Sequence, residues 1–480
     1  MSSLMFLLDA RPLITNDAVV LGLLMAVLAF IFHTSSLDSP GWKKFYTYVP
    51  SLLLCYFIPA LLNWPLGLIA PHWYEAGIYD FAQSIGIVLT QDMNYNDITT
   101  FFDSEEIISL LEVEGIDKAF YESFQGHSQL YFVASRYLLP ASLLLLCLGI
   151  DLKGLINLGP KALIMFGAAT VGIIIGGPIA LLAASKLMPG VIGANPDELW
   201  RGLSTIAGSW IGGGANQAAM KEIYEVKDNL FGTMIVVDVV VANIWMGFLL
   251  YGANVSDKID TMLKADNSAI TDLKNKVADY RASISETPTT TKLFVLMAVA
   301  FGGVGLAHLG SDIISPALGA HKETLAKWNL TSLTSGFFWL VVIATTIGLA
   351  LSFTKAKKME GVGASRWGSI FIYVLVATIG MKMNLGEVFS NLGLFAIGII
   401  WMLIHVGILL LVAKLIRAPF FFVAVGSQAN IGGAASAPIV ASAFSPSLAP
   451  VGVLMAVLGY AMGTYGALIC AQLMALVAGG

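Results

Sequence analysis

Long apolar runs separated by short polar turns dominate the chain. Runs long enough to span a bilayer as helices lie near 17–34, 43–63, 129–150, 161–187 and 229–252, and again near 292–309, 331–353, 367–382, 391–415 and 448–475. Two further segments, near 198–222 and 418–443, are apolar but interrupted by islands of small and polar residues. The first island reads Ser209-Trp210-Ile211-Gly212-Gly213-Gly214-Ala215-Asn216-Gln217, the second Ser427-Gln428-Ala429-Asn430-Ile431-Gly432-Gly433-Ala434-Ala435-Ser436. Glycine loosens a membrane helix, and the freed backbone groups then need protein, water or a ligand, because lipid offers no partner. The pattern therefore predicts a backbone break at Gly212, Gly213 and Gly214 and another at Gly432 and Gly433. Close helix packing by small residues is the competing reading, but it leaves the clustered Ser, Asn and Gln side chains without a reason.

The two halves carry these features in the same order. Asn157-Leu158-Gly159 opens the span before the first island and Asn391-Leu392-Gly393 the span before the second, each preceded by a glycine-led turn at Gly149 or Gly380. The expected fold class is an all-α polytopic membrane protein, an inverted repeat of five transmembrane helices plus one re-entrant or broken glycine-rich segment per half. Loop charge motivates the inversion: Lys43 and Lys44, Lys153 and Lys161, the six basic residues from Lys258 to Lys292, Lys355 to Arg366, and Lys414 with Arg417 all fall on the cytoplasmic side if each island dips in and returns. Both termini then lie outside. The expected divisions are first-repeat scaffold helices (1–71), an acidic extracytoplasmic insertion (72–128), first-repeat core helices with the glycine island (129–252), a cytoplasmic linker (253–290) and the second, inverted repeat (291–480).

Composition narrows the class. At 57% hydrophobic and 12% charged residues, with a mean hydropathy of +0.79, a soluble globular domain is excluded and a multi-pass protein of the cell membrane is expected. The N-terminus has no basic region followed by a small-residue cleavage site, so the first helix is expected to be retained. The net charge of -5 gives no reason to expect nucleic acid. Cys55, Cys147 and Cys470 sit inside apolar runs and read as core residues rather than as disulfides or thiolate ligands.

The insertion holds eleven acids against a single Lys118, which places it outside. Asp103-Ser104-Glu105-Glu106 before Ile107 and Ile108 predicts a capped amphipathic helix. Asp92 to Asp97 with Asp103 has the oxygen spacing of a calcium loop, but the sixth position is Asp97 where such loops require glycine, and a solvated acidic cap is the preferred reading. In the linker, Ile259, Met262, Leu263, Ile270, Leu273 and Val277 recur at helical spacing and predict an amphipathic helix pair.

Asp238 is the acid placed deepest in an ordinary span, where a carboxylate costs about 2.5–3.5 kcal/mol on insertion scales. It is a candidate ion ligand, with sodium the metal considered, or a partner that holds the first island in shape. Asn243 follows about 140° around the helix and flanks it loosely. His308 and His405 each stand alone in their spans and read as satisfied interior histidines before proton relays. The sequence contains no H-E-x-x-H, G-x-S-x-G or phosphate-loop motif, which argues against a protease, a hydrolase or an ATP-driven pump and for a protein that is not an enzyme.

With SWIGGGANQAA, the following helix bearing Asp238, and SQANIGGAASAP followed by LGYAMGTYGAL, the chain resembles an integral-membrane family grouped with the cation:proton antiporter/anion transporter superfamily. That superfamily includes glutamate-sodium and bile acid-sodium symporters. The resemblance implies an inverted repeat, a mobile core domain and a scaffold domain that often dimerises, so a homodimer is an expected partner state beside the lipid bilayer. It gives no role to the acidic insertion.

The expected function is secondary active transport, sodium-coupled symport of a small anionic solute such as an amino acid or carboxylate. No cofactor is expected beyond sodium as coupling ion. The candidate substrate- and ion-binding residues are Ser209, Asn216, Gln217, Asp238, Ser427, Gln428 and Asn430. The rivals are a proton-coupled transporter or cation/proton antiporter, and a passive channel or membrane receptor.

Overall fold

The computed structural model describes residues 11–49, 51–75, 77–85, 98, 101–102, 107, 123–148, 159–187, 196–266, 288–326, 331–383, 393–445 and 448–478. The proposed calcium loop and most of the acidic helix at 103–111 lie outside the described residues, as does the distal part of the linker. Apart from one two-stranded ladder, the described elements are helical.

Most of the apolar runs fold as single helices, with corrected ends. α1 is Asp17–Ser36, α2 Pro40–Tyr48, α3 Ser51–Asn63, α4 Gly77–Ser84, α5 Leu130–Leu148, α6 Pro160–Leu187, α7 Pro196–Gly212, α8 Gly214–Ile223, α9 Asp228–Asn254 and α10 Ser256–Leu263. The second half follows with α11 Thr290–Gly319, α12 Lys322–Ala326, α13 Gly336–Ser352, α14 Ala364–Gly380, α15 Gly393–Ile416, α16 Phe420–Ile431, α17 Gly433–Phe444 and α18 Ala449–Ala478.

Among the described residues, six helices (α1, α5, α6, α9, α11 and α15) are long and apolar enough to cross a membrane, and α18, bent by 50° between Tyr460 and Met462, makes a seventh if counted as one span. Ten ordinary spans were expected, and the difference lies in three runs. The run at 43–63 is divided into α2 and α3, because Val49 ends α2 in an extended conformation ahead of Pro50, and a residue before proline disfavours the helical region. The runs at 331–353 and 367–382 form α13 and α14, each of 17 residues, which reach about 25 Å against a hydrocarbon core of about 30 Å.

The chain forms two compact units. One comprises Met1–Arg136 and Tyr373–Val388, the other Tyr137–Ile372 and Phe389–Gly480. In the first unit the insertion leaves the chain through a narrow neck. Strands β1 (His72–Tyr74) and β2 (Gln125–His127) pair antiparallel with Trp73 opposite Gly126, a ladder that the helical reading of the insertion did not contain. Gly126 is required there: a Cβ at this position would lie 2.5 Å from the Trp73 ring. Tyr74, Ile78, Phe81, Ile98, Phe102 and Ile107 form a separate small core above the neck. Since Glu75 N donates to Phe124 O at 2.7 Å, the ends of the excursion are adjacent and a short connector can replace it. Deleting 76–124 in this way is expected to leave membrane insertion and the melting temperature of the remaining protein within experimental error of wild type; a variant that no longer inserts would show that the rest of the chain depends on the excursion.

In the second unit, glycines let helices meet closely, as small residues do between membrane helices. Gly172, Gly176 and Gly177 of α6 lie under His405 and Trp401 of α15. Trp401 Nε1 donates to Ile173 O at 2.8 Å, tying the two helices through a backbone carbonyl. A large core of α6, α15, α16 and α18 side chains includes Met165, Phe166, Leu409, Phe421, Phe422 and Met455.

Both islands are divided at a glycine. Gly213 (φ +76°) separates α7 from α8, and Gly433 (φ +55°) opens α17 after α16, conformations that L side chains rarely adopt. Groups on the two sides of each break meet. A Cβ on Gly208 would lie 2.6 Å from Asn216 O, and Gln428 Nε2 donates to Ser436 Oγ at 2.7 Å, whereas residues eight apart in a continuous helix are separated by about 12 Å.

Candidate functional site

The site is built on α18. Gly459 and Gly463 stand four apart on one face of it, and α7 ends against them: a Cβ on Gly463 would lie 2.5 Å from Gly212 Cα. At Gly459 both islands arrive together. Its missing side chain leaves room for Ile211 O, 2.8 Å from where a Cβ would stand, and for Ala429 O at 3.3 Å. The carbonyl ends of α7 and α16 thus converge on one helix position. Beside each, a second half-helix begins, α8 at Gly214 and α17 at Gly433.

Asp238, 5% exposed on α9, holds the first island by its side chains. Trp210 Nε1 donates to Oδ1 at 2.7 Å and Gln217 Nε2 to Oδ2 at 3.0 Å, and Ser209 also hydrogen-bonds to the carboxylate. One donor comes from each side of the break, Trp210 from α7 and Gln217 from α8, so the carboxylate clamps the turn at Gly213. Charge-assisted bonds of this kind are roughly twice as strong as neutral ones. Asn243, by contrast, bonds Val239 O in its own helix.

The two asparagines are anchored alike. Asn216 Nδ2 donates to Gly212 O at 3.0 Å and its Oδ1 accepts from Thr464 Oγ1 at 2.6 Å. Asn430 Nδ2 donates to Gly426 O at 3.0 Å and its Oδ1 accepts from Thr170 Oγ1 at 2.8 Å. Each amide bonds a carbonyl four residues back and receives a hydroxyl from another helix. Both residues are fully buried.

Ser427 sits in a chain of bonds that runs through four helices. Trp245 Nε1 donates to Ser427 Oγ at 2.8 Å, Ser427 Oγ lies 2.8 Å from His405 Nε2, and His405 Nδ1 lies 3.1 Å from Ala169 O. A carbonyl can only accept, so Nδ1 carries a proton, and a neutral ring that accepts from Ser427 at Nε2 satisfies every group. His405 is thus a satisfied interior histidine whose partner is an island residue. His308 lies apart, its ring tilted on Tyr137 at 5.7 Å.

Gln428 differs from the other six site candidates. It is 2% exposed, its Nε2 bonds Ser436 across the second break, and its Oε1 has no hydrogen-bond partner among the described residues. A buried acceptor left without a donor costs about 1–3 kcal/mol and asks for a reason.

Thr170, Thr464, Trp245 and Lys221 complete the surroundings of the islands and were not singled out by sequence. The three neutral residues are single polar positions in apolar helices with no spacing signal. Lys221 on α8 is 5% exposed and pairs with Asp228 Oδ1 at 2.9 Å and Glu222 Oε1 at 3.6 Å, closing the end of the first island opposite its break. Groups of three or more His, Cys, Asp or Glu residues suited to a metal ion do not occur among the described residues.

The chain is 23% identical over 342 residues to the uncharacterized membrane protein YjcL of Bacillus subtilis (strain 168), a similarity that covers 70% of this chain and 82% of that protein. This similarity and the apolar helices agree on a polytopic, helical membrane protein. Residues 122–477, which include both islands, α9 and α18, match the family described as "Protein of unknown function (DUF819)", and the chain belongs to that DUF819 family.

Proposed function

We propose that the protein is a secondary active transporter, a sodium-coupled symporter of a small organic anion such as an amino acid or another carboxylate, with its site where the two broken segments meet. The observation that carries this reading is the convergence of Ile211 O and Ala429 O at Gly459, with the partnerless Gln428 Oε1 on the same second island. Carbonyl ends of helices favour a cation, and the amide ends of α8 and α17 that open beside them favour an anion. A cation and an anionic solute would therefore stabilise one another in one place. On this reading the halves are inverted repeats, the islands are re-entrant, and the likeness to glutamate-sodium and bile acid-sodium symporters is one of mechanism. Asp238 shapes the first island and leaves coordination to neutral oxygens, because three donors already occupy its carboxylate. Neutral oxygens suit sodium better than a proton. No covalent chemistry is assigned to the site.

Thermal unfolding of the purified protein tests the reading, since a ligand at one hundred times its Kd adds about 2.7 kcal/mol to the folded state. Sodium chloride should raise the melting temperature above that in equal potassium chloride, and a screen of carboxylates in sodium should raise it further. Asn216→Ala and Asn430→Ala should both weaken the sodium effect. In proteoliposomes the identified solute should accumulate against its gradient when sodium is higher outside. Equal melting in the two salts together with equal uptake in both would sink sodium coupling, and uptake that stops at equilibrium would make the protein a channel.

A further inference from the structure

The linker contributes a contact for which its amphipathic pattern gave no hint. α16, the first half of the second broken segment, starts at Phe420 after Pro419, whose side chain cannot cap a helix. Its first amide is capped from elsewhere in the chain: Phe420 N donates to Asp260 Oδ1 of α10 at 2.7 Å. The carboxylate thus meets the positive end of the helix, where an anion is stabilising. Two further contacts hold α10 to this place. Asp266 N donates to Arg417 O at 3.1 Å, and Lys161 Nζ, at the start of α6, reaches both Asp266 Oδ2 at 2.9 Å and Arg417 O at 3.3 Å. Phe420 packs against Gly252, where a Cβ would lie within 2.6 Å of its ring, so the end of α9 is part of the same joint.

We propose that the first helix of the linker, α10, is through Asp260 a latch on the second broken segment, and that Asp260 is a positioning residue for the movement of that segment. α9 and α10 are nearly continuous, with Val255 between them. The two helices, joined at Val255, carry Asp238 on the first island, Trp245 on Ser427 and Asp260 on the start of α16. Displacing α10 would remove the cap of α16. The consequence for transport rests on the function proposed above; the mechanical claim does not.

Hydrogen exchange of the full-length protein in nanodiscs tests the latch. Asp260→Ala should speed amide exchange across Phe420–Val425 about five- to thirtyfold, the factor that corresponds to a lost N-cap. Asp260→Asn keeps an acceptor oxygen and should stay within about twofold of wild type. If the alanine variant does not fold, Lys161→Met supplies the test, because it unclips Asp266 and should accelerate exchange at Asp266 and Phe420 while leaving α18 unchanged. Alanine and asparagine variants with equal exchange, or a Lys161→Met protein with wild-type exchange at both amides, would overturn the latch. Uptake then reports separately: a lower turnover at unchanged sodium concentration for half-maximal rate is expected for Asp260→Ala. Absence of uptake in the wild-type protein would overturn the transport reading and leave the exchange result standing.

Discussion

Asp238→Ala should be the most damaging single substitution in the first island, destabilising the protein by about 2–9 kcal/mol, since two or three buried donors would each lose a partner at about 1–3 kcal/mol. Trp210 Nε1 and Gln217 Nε2 come from opposite sides of the Gly213 break, so the loss would also release the turn they clamp. Asp238→Asn provides the contrast. Its carbonyl oxygen can keep the bond from Trp210, and its amide can donate to Gln217 once the Gln217 amide flips to present oxygen. The asparagine variant should therefore unfold at a temperature much closer to wild type than the alanine variant. Tryptophan fluorescence during thermal unfolding reads both, because Trp210 reports directly on the clamp. Alanine and wild-type proteins that melt together would mean that the carboxylate does not hold the island, and its burial would then need another explanation, ion binding foremost.

Much of this arrangement was legible before the structure, and the limits of that reading have physical causes. The two breaks were readable because a run of glycines inside apolar sequence is rare in a membrane helix unless the backbone must bend or be approached closely; Gly213 and Gly433 bend it, and Gly212 is approached. The carboxylate of Asp238 was readable because charge at depth is expensive. Its partners were less so: the sequence offered a role in holding the first island in shape without naming the donors, which are the side chains of Trp210, Gln217 and Ser209. Thr170 and Thr464 were invisible, since a lone threonine in an apolar helix can bond its own turn as readily as a residue more than 200 positions away. His405 was read correctly as satisfied, but nothing in its own span points to Ser427. The span count failed where hydropathy fails in general, because it finds apolar runs without finding that α2 stops before α3 starts or that α13 and α14 end after 17 residues each.

The transport reading stands or falls most directly at Gly459. In Gly459→Ala the new methyl would stand 2.8 Å from Ile211 O and 3.3 Å from Ala429 O. At least one of these carbonyls must move, and both are backbone atoms at helix ends, with no side-chain rotamer to relieve the contact. Overpacking of this kind costs about 1–3 kcal/mol, which a folded protein can survive. A site made of those two carbonyls cannot survive it as easily, because displacing an oxygen by a few tenths of an ångström changes the distance on which coordination of a small cation depends. Uptake should therefore fall at least tenfold while expression and detergent-solubilised size remain those of wild type, and the residual activity should need more sodium. Gly407→Ala is the matched control: Gly407 lies within α15 with nothing within 4 Å of a Cβ, so alanine there should be neutral or slightly stabilising through helix propensity. If Gly459→Ala transports with unaltered sodium dependence, the carbonyls at that position take no part in binding, and the close approach of the two islands to α18 is a packing contact.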